Sequence, residues 1–118
     1  MLTAGALHQA KFALGGLIVD EAQMAKNLDI SRGLIVAEAV MMGLAPQLGR
    51  LEAHDVVYDA CRRANEQHIT LAEALLADPQ VTDRIDRATI ARLTSPGNYL
   101  GLAPRMVDRV LASKIREG

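Results

Sequence analysis

Glu38 is the only charged residue between Leu34 and Ala45, a run apolar on every side of a helix. A carboxyl buried there would be pushed toward its protonated form and could act as an acid. The plainer expectation is that it lies on the helix rim or pairs with Arg32 or Arg50, because a charged group is seldom left buried without a partner. His54 could be a base or a metal ligand, but its only companions are His8 and His68. None has a partner at the i, i+4 spacing, and a metal site needs several convergent ligands. Its imidazole tip is expected to bond to backbone near a helix end. Glu38, His54 and Arg50 acting together would make the chain an enzyme in its own right, and alanine at each would then remove an activity rather than only stability.

Two further features have chemical potential and a simpler structural use. Cys61 is the single cysteine. It falls on an inward helix face, where it reads as a small core residue, since a reactive thiolate needs an electropositive, accessible setting. "SPGNYLG", residues 95–101, could offer glycine-rich amides to an anion. It lacks the preceding strand of a dinucleotide fold and the Lys-Ser/Thr of a phosphate loop. It is expected to be a rigid turn with Tyr99 and Leu100 packed beneath it. Met24, Met41, Met42 and Met106 read as core fillers. No catalytic, cofactor-binding or metal-ligating residue is therefore assigned, and no cofactor is expected.

The elements that would carry these residues are helical throughout, with no convincing strand. Leu7, Ala10, Leu14, Leu17 and Ile18 recur at helical spacing over residues 3–18, weakened at the far end by Gly15-Gly16. Asp20 is placed to cap a short helix with Met24 and Leu28 on its inner side. Ser31 is a plausible cap for the central apolar helix, which Gly43 and Pro46 bring to an end. The next helix puts Ala53, Val57, Ala60, Cys61 and Ala64 on one face. Glu52, Asp55, Asp59, Arg62, Arg63 and Glu66 point away, and Asp59 pairs with Arg63. Thr70 and Glu73 form a capping box for a helix that Pro79 ends. A further short helix carries Ile85, Ile90 and Leu93. The last begins near Leu102, with Pro104 in its first turn and Met106, Val107, Val110 and Leu111 inward. Lys114 and Arg116 suit its negative end. The expected fold is all-α, with about five short helices preceded by the end of a longer one.

The length of 118 residues suits one domain. A net charge of −1 with the signs interspersed gives no basic stripe for nucleic acid or an anionic membrane. Phe12, Tyr58 and Tyr99 are too few for base stacking. The N-terminus lacks the form of a signal peptide. The Leu34–Ala45 run of about a dozen residues falls short of the roughly twenty that a bilayer requires, so protein must cover it. One cysteine excludes an internal disulfide and fits a reducing, cytoplasmic setting.

The segments "GGLIVDEAQMAKNLDISRGLIVAEAVMMGLAPQLGRLEAH", "LAEALLADPQV" and "SPGNYLGLAPRMVDRVL" together make a longer pattern. It resembles the C-terminal region of the fumarase/aspartase superfamily. Within that superfamily it is most similar to the 3-carboxy-cis,cis-muconate cycloisomerase family of bacterial aromatic breakdown. "LAPQLGRLEAH" and "SPGNYLG" favour that family over adenylosuccinate lyase, which shares the more general "M..NLD...GL...E" pattern. The resemblance covers residues 5–112. It implies that residues 1–18 are the end of a central bundle helix and residues 19–118 a helical C-terminal domain. It also implies partners: the remainder of such an enzyme, or copies of this chain assembling through the N-terminal helix.

The family's Gly/Ser-rich signature loop, of the kind GSSxMPxKxN, and its upstream His- and Thr/Ser-bearing segments do not occur in these residues. No family catalytic residue can be carried over. The expectation is a structural and assembly domain without lactonising or lyase activity of its own. A free-standing helical interaction module and the C-terminal domain of another superfamily lyase are the alternatives.

Overall fold

A computed structural model describes residues 2–114, except the side chain of Lys114. It is all-α among those residues. The helices are α1 (Leu2–Gly15), α2 (Glu21–Asp29), α3 (Ala37–Leu48), α4 (Arg50–Gln67), α5 (Leu71–Leu76), α6 (Pro79–Thr82), α7 (Arg87–Leu93) and α8 (Ala103–Lys114). Single 3-10 turns lie at Leu34–Val36 and Pro96–Tyr99. No helix among the described residues is long and apolar enough to cross a membrane.

Among the described residues the core is built by α3 to α7, the 3-10 turn at Leu34–Val36 and the link between α6 and α7. Every buried apolar residue falls between Val36 and Leu93, with Leu44, Leu71, Leu75 and Ile90 the largest fully enclosed side chains. Helix α3 packs on α4 and α4 on α5. The small face of α4, formed by Ala53, Ala60 and Ala64, allows those close approaches.

The expected caps form. Asp20 accepts from the Gln23 amide at 2.8 Å, and Thr70 and Glu73 make the reciprocal box that starts α5. Hydrogen bonds from the Thr70 backbone amide and then its hydroxyl hold Glu73 below the ordinary carboxyl range. The Thr89 hydroxyl and then its amide do the same for Asp86, the cap of α7. A carboxyl with a lowered folded-state pKa contributes stability above its unfolded value, and that contribution fades as the pH falls through the folded one. Thr70→Ala is expected to lower the melting temperature by about 5 °C at neutral pH. The gap should narrow as the pH falls below the ordinary glutamate range and through the lowered folded-state value of Glu73; thermal melts at neutral and acid pH check this.

Several expectations are corrected. Gly43 and Pro46 do not end the central helix, which runs to Leu48 and stops at Gly49 with φ +89°. Pro46 is exposed, so the Met42 carbonyl that loses its amide partner faces the solvent side. Ser31 does not cap α3: its hydroxyl accepts from Ile35 in the preceding 3-10 turn, and α3 begins after Val36. Pro79 starts α6 at its first position rather than only marking the end of α5. Arg63 does not point away or pair with Asp59. It turns inward to Asp78 at 2.9 Å, and Arg62 takes Asp59 at 3.2 Å. Met24 and Leu28 have no inner side, being 59% and 47% exposed. Met106, Val107, Val110 and Leu111 of α8 are likewise exposed. Of Met24, Met41, Met42 and Met106, only Met41 packs against the core. The expected role of Lys114 and Arg116 lies outside the described side chains.

These exposed stripes give the chain its dimensions. The radius of gyration is 20.4 Å, against about 13–14 Å for a compact domain of this length. Helices α1, α2 and α8 are arms on a small body.

Candidate functional site

Helices α3 and α4 bring Glu38 and His54 to one open groove of about 220 Å³, lined also by Ala37, Met41, Val57, Tyr58 and Cys61. Arg50 is not among its lining residues. The three residues weighed as an enzyme thus do not converge. Glu38 is exposed on the helix rim, and no ion pair to Arg32 or Arg50 forms among the described residues.

His54 also departs from its expected backbone bond. Its Nδ1 donates to the neighbouring Asp55 carboxylate at 3.0 Å, and its ring stacks on Tyr58 with centroids 6.4 Å apart. That fixes an exposed aromatic pair on the surface of α4. Cys61 is half-buried at the groove floor, and burial pushes its thiol pKa up. A thiol held protonated is a poor nucleophile and a poor metal ligand. The groove is smaller than the roughly 300–1,000 Å³ of ordinary ligand pockets. Its chemistry is that of an apolar crease to which Glu38, His54, Tyr58 and the protonated Cys61 thiol contribute the polar groups.

The other histidine with a defined partner is structural. His68 ends α4 in the left-handed region at φ +58°. Its Nδ1 lies 3.1 Å from Arg32 Nη1; arginine only donates, so the imidazole accepts. Arg32 itself has φ +51°, and its carbonyl accepts from the Leu71 amide at 2.9 Å. Two unusual backbone positions are thereby clamped together, tying the start of the body to the α4–α5 turn. No group of three or more acidic, His or Cys side chains suited to a metal occurs among the described residues.

The "SPGNYLG" segment finishes α7. Tyr99 Oη donates to the Leu93 carbonyl at 2.6 Å, and Asn98 Nδ2 donates to the Arg92 carbonyl at 2.8 Å. These are helix-end carbonyls that lack partners within the helix. Its turn character is as expected, but Leu100 is 59% exposed and does not pack beneath it. Sequence reasoning missed the Arg63–Asp78 strap. Arg63 Nη2 donates both to Asp78 and to the Ala74 carbonyl, while Asp78 Oδ1 caps α6 through the Gln80 amide. The Asp-Pro pair at 78–79 is a helix-start signal that could have pointed to the cap, though not to the arginine.

Comparison with known proteins places this geometry in context. The profile of the family described as adenylosuccinate lyase C-terminus matches residues 33–110. Trans-aconitate decarboxylase 1 of Mycosarcoma maydis is 47% identical over 110 residues, which are 93% of this chain and 22% of that protein. A 3-carboxy-cis,cis-muconate cycloisomerase of Pseudomonas aeruginosa is 43% identical over 111 residues, 94% of this chain and 24% of the relative. The crystal structure of a fumarate lyase from Mesorhizobium sp. BNC1 superposes with a TM-score of 0.81 at 56% identity, covering 92% of this chain and 26% of that one. The chain spans about a quarter of the length of the relatives it matches.

Proposed function

Because the chain belongs to the adenylosuccinate lyase C-terminus family, within the fumarase/aspartase superfamily, we propose that it serves as the structural and assembly domain of a 3-carboxy-cis,cis-muconate cycloisomerase-like enzyme. Residues 1–18 act as the end of a bundle helix and residues 19–118 as the domain beside it. The catalytic groups belong to the remainder of such an enzyme. That remainder would close a lactone by attack of a substrate carboxylate on a double bond, with a proton transferred at carbon, a reaction needing a general acid or base and donors for developing negative charge.

The observation that carries this reading is the placement of apolar surface. Leu7, Phe12, Leu14, Leu17 and Ile18 of the N-terminal arm are all at least 64% exposed. Helix α1 carries no acidic residue, and Lys11 is its only formal charge. A helix apolar on most sides is suited to the interior of a bundle rather than to water. Glu38 and His54, by contrast, share a crease whose other polar members are Tyr58, stacked on the His54 ring, and Cys61, whose thiol is held protonated by burial.

The test is an ultraviolet assay of 3-carboxy-cis,cis-muconate lactonisation with the purified 118-residue chain, alone and mixed with a cycloisomerase lacking its C-terminal quarter. No turnover is expected from the chain alone, with activity restored in the mixture. Lactonisation by the chain alone would overturn the proposal.

A further inference from the structure

We infer that the Arg32–His68 contact is a pH-operated latch at the point where the chain enters the body. Neutral His68 holds residues 32–33 against the α4–α5 turn, and a protonated ring releases them. Whatever covers α2, the chain reaches the body through this join.

The backbone there needs holding. Arg32 and Gly33 are consecutive left-handed residues, with φ +51° and +89°. Glycine adopts that region freely, whereas a residue with a side chain stays in it only where its surroundings fix it. Three hydrogen bonds do the fixing. The Arg32 amide donates to the Asp29 carbonyl at 2.8 Å, its carbonyl accepts from the Leu71 amide at 2.9 Å, and its guanidinium donates to His68 Nδ1 at 3.1 Å. Leu71 is the first residue of α5, where an amide has no acceptor within its own helix. The Arg32 carbonyl is the acceptor it has, so the state of Arg32 is felt at the start of α5.

Of the three bonds, only the one to His68 can be broken by a proton. Imidazoles change charge between about pH 5 and 8. Nδ1 accepts only in the neutral ring; once protonated it carries a hydrogen and sets a second cation against the guanidinium. No carboxylate bridges the two. Among the described residues, neither Arg32 nor His68 forms an ion pair with an acid. On α4, Glu66 faces Arg62 at 3.9 Å. On α5, Glu73 is bonded to Thr70 and held below the ordinary carboxyl range, so it keeps its charge throughout. Asp29, at the end of α2, borders the same cleft as Arg32 and Thr70 without pairing. The acceptor role belongs to the neutral ring, so the latch is made at the upper end of the histidine range and lost on acidification.

Amide hydrogen exchange of the full chain, followed by nuclear magnetic resonance and corrected for the unstructured rate at each pH, tests this. Protection of the Leu71 amide is expected to fall about fivefold between about pH 7.5 and pH 5. Amides in the middle of α4, such as Ala60, should keep theirs. His68→Asn is the decisive variant. Its Oδ1 can accept in place of Nδ1, asparagine tolerates the left-handed backbone, and it does not titrate. Leu71 should then stay protected at both pH values. Arg32→Gly, which suits the backbone but removes the guanidinium, should leave Leu71 weakly protected at both. Native protection that does not change with pH, or a fall that persists in His68→Asn or in Arg32→Gly, would overturn the latch.

Discussion

Asp78→Ala is expected to lower the unfolding free energy by about 3 kcal/mol, measured by urea denaturation. The side chain does two tasks. One oxygen caps α6 through the Gln80 amide, and the other accepts from Arg63 at 2.9 Å, with the two side chains 14% and 34% exposed. Losing a cap costs about 1 kcal/mol. The larger part comes from leaving the guanidinium in a half-buried place with only the Ala74 carbonyl as acceptor, and with its Nε already buried and unpartnered. Breaking a buried pair from one side costs more than removing both charges. Arg63→Met also breaks the pair from one side, leaving Asp78 Oδ2 without its guanidinium, and should cost about 2 kcal/mol, less than Asp78→Ala because Asp78 keeps its cap through the Gln80 amide. Asp78→Asn, which retains the capping oxygen, should fall between. Equal losses for Asp78→Ala and Arg63→Met would show that the cap and the strap have been misjudged.

The second large effect concerns the contact of α3 with α7. A Cβ on residue 43 would collide with the methyl groups of Leu93, itself only 6% exposed. Glycine in a helix interior ordinarily costs up to about 1 kcal/mol against alanine, so its presence in α3 needs a reason; close packing supplies one. Gly43→Val should destabilise by about 2–3 kcal/mol, as overpacked cores do. Leu93→Ala alone should cost about 2–4 kcal/mol through the cavity it leaves. In the Gly43→Val background the same truncation makes room for the new methyls, so its cost should fall by more than about 1 kcal/mol. Additive losses in that double-mutant cycle would separate Gly43 from Leu93.

Both predictions turn on features that the amino-acid order hides. Gly43 and Pro46 carry local helix-breaking signals, yet α3 passes through them. At Gly43 tertiary packing outweighs propensity, and at Pro46 the lost bond falls on the exposed side near the helix end. The Arg63–Asp78 pair joins α4 to the start of α6, a separation that helical spacing cannot reveal. Spacing suggested Asp59 instead, because i, i+4 neighbours are the pairs a single helix makes visible. What a single helix does determine was legible: the Asp20 cap, the Thr70–Glu73 box and the small inward face of α4 all form as read. The α8 stripe reads as inward because an apolar face implies a cover, but the pattern does not say what supplies that cover. Glu38 and His54 are the residues whose types suggest chemistry. The structure places them in one crease and leaves Arg50 out of it, a convergence that depends on how α3 and α4 cross.

The body between Val36 and Leu93 pairs each helix mainly with those nearest to it in chain order, α3 with α4 and α4 with α5. Low contact order of that kind makes a fast folder, because little loop entropy is lost before packing rewards it. The arms contribute no side chain to that core, so the body can form while Leu7, Phe12 and Leu14 of α1 stay exposed. Apolar segments left in water during folding are the ones that chaperones and proteases meet.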